Sequence, residues 1–459
     1  MRSVINSLRR GDWKSLLACF LYFDTGFTAW VMFGPLAPFV AKQIALTPAQ
    51  SAFLVAVPVL AASIVRVMLG NLFQSVNGRR IALAGIALSA VPSLVLLLPI
   101  SPSYELLLML GTFLGVAGAS FAVALPMAGS TYPPRVQGLV LGLAAAGNIG
   151  AVIDGFVFPG LAQRFGWQRA TAAALPLLAL AGAAVFLWAR DASAKSGSAK
   201  QAYCGFGAAF AGLNALVFLV NEGALGSART GQLLLPLLGS LVALVVLPRR
   251  YLAVLRERDT WVLMLIYSIT FGGFVGMSSY VSLLLTTQYG ISKLDAGLMM
   301  AALSFAGAMV RPVGGLLADR VSGVRVLIAL LLGIAAADFA FAALMPSIGG
   351  GIALLLALYL CFGLGNGATF QLVPHRFRGK TGLMTGIIGA AGGIGGFYLP
   401  VVMGLARESA GSYQLGFTTF GVLATLAFLL VLGLHQQWLA WALPSERGLR
   451  LESGGVEAD

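Results

Sequence analysis

The chain is 459 residues long, and 59% of them are hydrophobic while only 10% are charged. Soluble domains carry about 25% charged residues, so this chain could not cover a soluble surface. The formal net charge of +13 would suggest a nucleic-acid partner in a soluble protein. Here the basic residues are dispersed in short segments between apolar runs, which argues against nucleic acid and favours a polytopic protein whose partner is the lipid bilayer.

Apolar segments long enough to cross a bilayer recur along the chain, since a span needs about 20 apolar residues. The basic N-terminus leads into an apolar run without a small-residue cleavage pattern, so we interpret it as the first span and not as a signal peptide. The first six segments lie at 15–40, 50–74, 80–100, 104–128, 137–163 and 168–189.

A polar stretch from Arg190 to Gln201 follows and is typical of a flexible linker. Two further apolar segments come next, at 202–220 and 230–247. The last six lie at 260–286, 296–318, 324–346, 350–374, 381–406 and 413–436.

This order predicts an all-α polytopic membrane protein in which two six-helix bundles flank two extra helices, giving fourteen spans. The predicted units are an N-terminal bundle over 1–190, a linker with the two inserted segments over 191–255, a C-terminal bundle over 256–440 and a cytoplasmic tail over 441–459. Twelve spans are the alternative, if both inserted segments are re-entrant or lie on the surface.

The basic residues are distributed unequally between alternate connections. With fourteen spans, Lys and Arg on the side of the N-terminus outnumber those on the other side by more than three to one. Because cytoplasmic loops hold the excess of basic residues, we expect both termini in the cytoplasm and the chain in the inner, cytoplasmic membrane. The opposite side keeps only Lys42, Arg164, Arg169, Arg229, Lys293 and Arg407.

Three local sequences of the first half recur in the second half, which indicates a duplicated bundle. Arg66 stands four residues before a glycine, as does Arg311. A small-residue run ends in Phe121 and recurs at Phe370. The third pair is Gly147-Asn148-Ile149-Gly150 and Gly392-Gly393-Ile394-Gly395, and the three offsets of 245, 249 and 245 residues are nearly constant.

Arg66 and Arg311 fall well inside apolar segments, where a cation costs about 3 kcal/mol even on permissive scales. Such residues usually line a cavity, and two repeat-equivalent guanidinium groups would suit a small planar anion, since their paired donors match its edges. The alternative is that each arginine pairs with an intramembrane acid, of which the candidates are Asp24, Asp154 and Asp338.

Glycines recur along the fifth span and its repeat, among them Gly147, Gly150, Gly392 and Gly395. Close packing of helices explains most of these glycines. Helices that approach closely can also slide past one another, and the missing side chains leave space for substrate. Phe121 and Phe370 are either packing residues or walls of the site.

The cysteine and histidine residues give no indication of an enzyme active site, a metal site or a cofactor site. Cys19, Cys204 and Cys361 lack metal-ligand spacing, and the two histidines have no catalytic partner nearby in sequence.

The sequence Gly315-Leu-Leu-Ala-Asp319-Arg320 resembles the loop motif of major facilitator transporters, in which the acid and the arginine brace neighbouring helices at the cytoplasmic face. In the first half the corresponding position is Gln74, so the acid is missing there. The motif, the repeat and the span count together identify the major facilitator fold.

Further stretches resemble bacterial nitrate/nitrite porters over nearly the whole chain except residues 190–255. They are Phe23 to Pro35, Leu46 to Gln50, Pro58 to Arg66, Ala146 to Gly150 and Gly389 to Pro400.

The resemblance implies nitrate or nitrite as substrate, held between Arg66 and Arg311. It also implies a hydrogen bond from Asn148. The aromatic residues that it implies around the substrate are Phe121 and Phe370 on its two faces, with Tyr267 and Phe271 alongside.

Two transport modes follow as hypotheses, both by rocking of the bundles. Repulsion between the two guanidinium groups favours exchange of nitrate for nitrite, whereas a proton on the carboxyl of Asp24 would allow nitrate–proton symport, which we prefer. A structural role is the alternative for Asp24. Two other hypotheses are open. The protein could transport another small anion or an organic solute, or it could be a membrane-bound sensor that transports nothing.

Overall fold

The computed structural model describes residues 11–133, 136, 140–141, 143–144, 149–224, 227–345, 347–377 and 381–442, and every regular element in them is a helix. The first half contains α1 (Trp13–Val31), α2 (Phe33–Gln43), α3 (Pro48–Ser75), α4 (Gly78–Leu96), α5 (Tyr104–Gly118), α6 (Phe121–Ser130), α7 (Gly150–Phe165), the single turn α8 (Trp167–Ala170) and α9 (Ala174–Trp188).

Two helices follow before the second half, α10 (Ala199–Asn221) and α11 (Ala228–Val246), which we call the inserted hairpin. The short helix α12 (Arg249–Leu255) leads from it to the second half. That half contains α13 (Arg258–Tyr289), α14 (Lys293–Val321), α15 (Gly323–Leu344), α16 (Ile348–Arg376), α17 (Thr381–Ala410) and α18 (Gln414–Ala442).

Hydroxyl groups and proline set the ends and breaks of several helices. Thr47 and Gln50 form a reciprocal capping box at the start of α3, so two otherwise unpaired N–H groups are satisfied. Ser198 and Ser227 cap the two helices of the inserted hairpin. The first predicted span is broken at Met32, because Pro35 cannot donate the helical hydrogen bond to Val31.

Thirteen helical segments of the described residues are long and apolar enough to cross a membrane. They include both helices of the inserted hairpin, which are 23 and 19 residues long. The fifth predicted span is described without gaps only from residue 149, and α7 is the helix in that part. Fourteen spans therefore fit the structure better than twelve.

The two halves meet mainly along three pairs of helices: α3 with α17, α2 with α13, and α7 with α14. Small residues line these contacts. Gly34 of α2 faces the backbone of Ser279, and Gly155 of α7 faces the backbone of Gly297. Two helices can approach this closely only where a side chain is absent, as expected for packing inside a membrane.

The inserted hairpin packs against both halves. Helix α10 lies on α3 and α5, and Thr112 donates a hydrogen bond of 2.8 Å to Asn214. Helix α11 lies on α3 and α17, and the hydroxyl of Tyr398 donates to the carbonyl of Leu233 at 2.9 Å. The hairpin thus covers the seam at which α3 of the first half meets α17 of the second.

The loop between α3 and α4 has no acidic residue of its own, and a carboxylate from a later segment of the chain binds there. The main-chain N–H of Gly78, at the start of α4, donates to the carboxylate of Asp191 at 2.6 Å. Lys195 pairs with Asp191 and donates to the carbonyl of Phe73 at 2.8 Å. The first part of the predicted linker is therefore fixed against the loop after α3, and it is less free than its composition suggests.

Candidate functional site

A small enclosed cavity lies where α1, α3 and α6 of the first half face α13, α14 and α17 of the second. Its volume is about 10 Å³, which is room for about one water molecule. A larger solute therefore needs the surrounding side chains to move apart. The cavity is lined by Phe23, Phe27, Arg66, Phe121, Tyr267, Phe271, Arg311 and Gly389.

Arg66 is the most buried cation at this cavity, with 4% of its surface exposed. Its Nη1 donates to the carbonyl of Gly389 and its Nη2 to that of Gly118, both at 3.0 Å. The Gly118 carbonyl is accessible because α5 ends there, and the N–H of Ala122 bonds to Ala119 instead. Two main-chain dipoles from opposite halves thus hold one guanidinium group.

Aromatic rings surround the guanidinium of Arg66 on several sides. Its Cζ lies 5.4 Å from the ring centre of Phe121, 5.7 Å from that of Phe271 and 5.8 Å from that of Trp30. Cation–π contacts of this kind stabilise a cation that has little water around it. They leave its positive charge without a counter-ion.

Arg311 occupies the equivalent position in the second half but is only half-buried. Its Cζ lies 5.9 Å from the ring centre of Phe370, and its positive charge lies near the hydroxyl of Tyr267. Tyr267 in turn stacks on Phe271 with ring centres 5.0 Å apart and packs edge-on against Phe370. Phe370 is thus placed one layer outside the cavity wall, whereas Phe121 lies on it.

Neither cavity arginine pairs with a carboxylate among the described residues, where the ion pairs all join other side chains. The alternative in which intramembrane acids neutralise Arg66 and Arg311 is therefore not what this structure contains.

Three of the predicted glycines, Gly150, Gly392 and Gly395, lie at tight helix contacts. A Cβ atom at Gly392 would meet the ring of Tyr267 at 2.6 Å, and one at Gly395 would overlap the carbonyl of Ser268. A Cβ at Gly150 would meet the carbonyl of Asp24 at 2.6 Å. Gly147 lies outside the described residues, as does Asn148, so the predicted hydrogen bond from Asn148 stays a prediction.

The remaining predicted residues lie away from the cavity wall. Asp24 is half-buried on α1, one residue from Phe23, and its main chain lies against Gly150 at the start of α7. Asp319 and Arg320 are exposed at the end of α14, and their bracing role stays a prediction.

A family model described as the Major Facilitator Superfamily matches residues 18–375. A probable nitrate/nitrite transporter of Mycobacterium tuberculosis (strain H37Rv), NarK2, is 32% identical over 87% of this chain and 90% of its own length. The chain belongs to the nitrate/nitrite porter family of the Major Facilitator Superfamily.

Other relatives of this porter carry related names. The nitrite extrusion protein of Bacillus subtilis (strain 168) is 29% identical and covers 91% of each chain. A solved bacterial homologue of the human lysosomal transporter Spinster, in an inward-facing and occupied conformation, has a TM-score of 0.62 at 16% identity. It covers 93% of the porter and 96% of its own chain, and this likeness supports the fold alone.

Sequence reasoning missed part of the aromatic lining that α1 supplies to the porter. Phe23 and Phe27 lie on the cavity wall, and Trp30 faces Arg66. The signal was present, because residues spaced by four and seven positions share one face of a helix. The two carbonyl acceptors of Arg66 had no sequence signal, since every residue carries a carbonyl.

Proposed function

We propose that this porter moves nitrate or nitrite across the cytoplasmic membrane by alternating access, with Arg66 and Arg311 as the groups that bind the anion. The observation that carries this is a pair of repeat-equivalent guanidinium groups at the meeting of the two bundles with no carboxylate partner among the described residues. The names of the relatives supply the substrate class.

Arg66 has donors left for a ligand. A guanidinium carries five N–H groups, and the two hydrogen bonds to Gly118 and Gly389 use two of them. Among the described residues, the Nε of Arg66 is buried without a hydrogen-bond partner. A planar oxyanion would satisfy such donors in its own plane, because guanidinium and oxyanion edges match.

The aromatic residues would confine the anion. Phe121 and Phe271 flank Arg66, and Tyr267 links Arg311 to the same space. Phe370 would support Tyr267 from behind in the conformation described, and Asn148 would complete the set of donors.

Rocking of the two bundles would open the site to alternate sides of the membrane. The Arg66 guanidinium bridges the halves through Gly118 and Gly389, so a bound anion that draws both arginines together would favour closure. We prefer nitrate–proton symport in which the carboxyl group of Asp24 takes part in carrying the proton. Exchange of nitrate for nitrite is the alternative mode. The distribution of basic residues supports cytoplasmic termini.

Uptake of labelled nitrate into proteoliposomes of the purified protein tests this proposal. We expect saturable uptake when nitrate or nitrite is loaded inside, and competition by nitrite but not by chloride, sulfate or a neutral amino acid at equal concentration. Correctly inserted protein that transports neither anion in either direction, with or without a proton gradient, would contradict it. Preferential competition by a different anion would favour the second candidate, a transporter of another small anion.

A further inference from the structure

Asp154 is a carboxylic acid buried in the membrane part of α7 and unused by the anion site. Its side chain is 0% exposed, and neither carboxyl oxygen has a hydrogen-bond partner among the described residues. An ionised carboxylate that accepts no hydrogen bond is strongly disfavoured in a low-dielectric interior. The conformation described is therefore compatible with a neutral Asp154 and strongly disfavours a charged one.

A second carboxyl group lies beside it. The absence of a side chain at Gly150, one helical turn before Asp154, lets α7 approach the main chain of Asp24 on α1. Asp24 and Asp154 are close enough to interact through space. Within the described part of the chain, Oδ1 of Asp24 is also buried without a partner. Two neighbouring carboxyl groups hold at most one negative charge comfortably, so protonation of one depends on the other.

The other charged groups of the elements packed on α7 do not compensate Asp154. Lys293 is half-buried, but its ammonium lies over the ring of Phe39, 4.6 Å from its centre. Arg311 faces the anion cavity. The remaining ones are exposed: Lys14, Lys42, Arg164, Arg169, Asp295, Asp319 and Arg320.

Asp154 also adjoins a contact between the two halves. The next residue, Gly155, packs on the backbone of Gly297 in α14, and Pro159 packs on Gly297 one turn later. In the conformation described, the two helices touch main chain to main chain here. Rocking that separates α7 from α14 would hydrate the residue next to it and remove the cost of a charge there.

We propose that Asp154, paired with Asp24, is the proton-carrying site of the porter. This inference rests on the proposed nitrate transport and adds the group that couples it to protons. When the α7–α14 seam opens, the Asp154 carboxylate takes a proton from water on that side. The neutral acid permits the seam to close, and the proton leaves after the site has opened to the other side, so one proton crosses with each anion.

The test compares wild type, Asp154→Asn and Asp338→Asn in proteoliposomes with an inward gradient of one pH unit. One proton per nitrate predicts accumulation of labelled nitrate up to about tenfold in the wild type. Asp154→Asn mimics the neutral acid, so it should keep nitrate–nitrate exchange and lose accumulation. Asp338 is a buried acid on α15 that lines a separate cavity in the second half, so its variant should accumulate as wild type does.

Several outcomes overturn the inference. The inference fails if Asp154→Asn accumulates nitrate as well as the wild type does. It also fails if the wild type exchanges nitrate but a proton gradient never drives accumulation of nitrate. The second result would leave the nitrate proposal intact, whereas absence of exchange in the wild type would remove that proposal itself. If Asp154→Asn fails to fold, Asp154→Glu replaces it: it should retain accumulation with a shifted pH dependence, and a pH profile like that of wild type would contradict us.

Discussion

Arg66 is held by carbonyl dipoles and aromatic faces, and such an environment stabilises a guanidinium group without cancelling its charge. An acid in the same place would have neutralised the arginine and weakened its attraction for an anion. Arg311 is less buried and is linked to a tyrosine, so the two repeat-equivalent residues are not identical in their surroundings. We expect Arg66 to contribute more to binding because less water screens it.

Arg66→Lys should therefore reduce nitrate transport although the charge is kept. A lysine cannot reach both carbonyls and still present a flat pair of donors to the anion. Loss of one charge-assisted hydrogen bond costs about 1.5–3 kcal/mol, so kcat/KM for nitrate should fall by about tenfold or more. Initial rates of labelled uptake measure this.

Arg164→Lys is the matched control, since that arginine is exposed near the end of α7 and has no part in the proposed site. Its uptake kinetics should stay within about twofold of wild type. Equal kinetics for the Arg66→Lys variant would show that Arg66 does not bind the anion through paired donors.

At the scale of helices, the contact of α17 with α13 depends on glycine at particular positions. A Cβ at Gly395 would overlap the main chain of Ser268, which cannot turn aside as a flexible side chain can. At Gly386, on the same helix, a Cβ would have no atom within 4 Å. The sequence motif alone did not separate these two glycines.

Gly395→Ala should destabilise the porter by about 1–3 kcal/mol through overpacking, and it should slow uptake because α17 is displaced. Gly386→Ala should be neutral or stabilising, since alanine favours a helix by about 1 kcal/mol over glycine. Thermal unfolding midpoints of the two purified variants provide the comparison. Similar midpoints for both would refute the close contact at Gly395.

The segment after α9 is tied to the loop after α3 through Asp191. Burial raises the pKa of the Asp191 carboxyl, but hydrogen bonds from Lys195, Ser193 and Gly78 outweigh this and hold the pKa below its usual range. A lowered pKa in the folded protein means that ionisation of Asp191 stabilises the fold above a pH of about 4, and that this contribution disappears as the pH falls through the lower folded value.

Asp191→Asn should accordingly lower the thermal midpoint at pH 7, and its difference from wild type should shrink below a pH of about 4. Scanning fluorimetry across this range measures it. Glu222→Gln, which alters an exposed carboxyl at the turn of the inserted hairpin, should show no such difference. A midpoint for Asp191→Asn equal to that of wild type at pH 7 would mean that the ion pair has no net stabilising effect.

At the scale of the whole molecule, hydropathy and internal repetition were enough to predict the bundles and the inserted hairpin, because lipid requires long apolar helices. The repeat also predicted that Arg66 and Arg311 would lie in equivalent places. Contacts between distant segments were beyond this reasoning: Gly78 and Asp191 are 113 residues apart in sequence. A lone aspartate in a polar linker gives no sign of the loop that it will reach.

The position of the hairpin was unpredictable for a similar reason. Its outer and inner faces are both apolar, so hydropathy does not distinguish lipid from protein as a neighbour. The structure adds a polar tie at one end, where Glu408 of α17 accepts from Arg229 of α11 and from the main chain of Ala49 on α3. One carboxylate thus joins both halves and the hairpin.

The hairpin makes the two flanks of the porter unequal in their exposure to lipid. It shields the α3–α17 seam, whereas the flank formed by α7 and α14 presents Phe156, Phe305 and Met309 with 56%, 48% and 43% of their surfaces exposed. Acyl chains would therefore meet the moving bundles directly at this second flank, whereas at the first flank they would meet the hairpin.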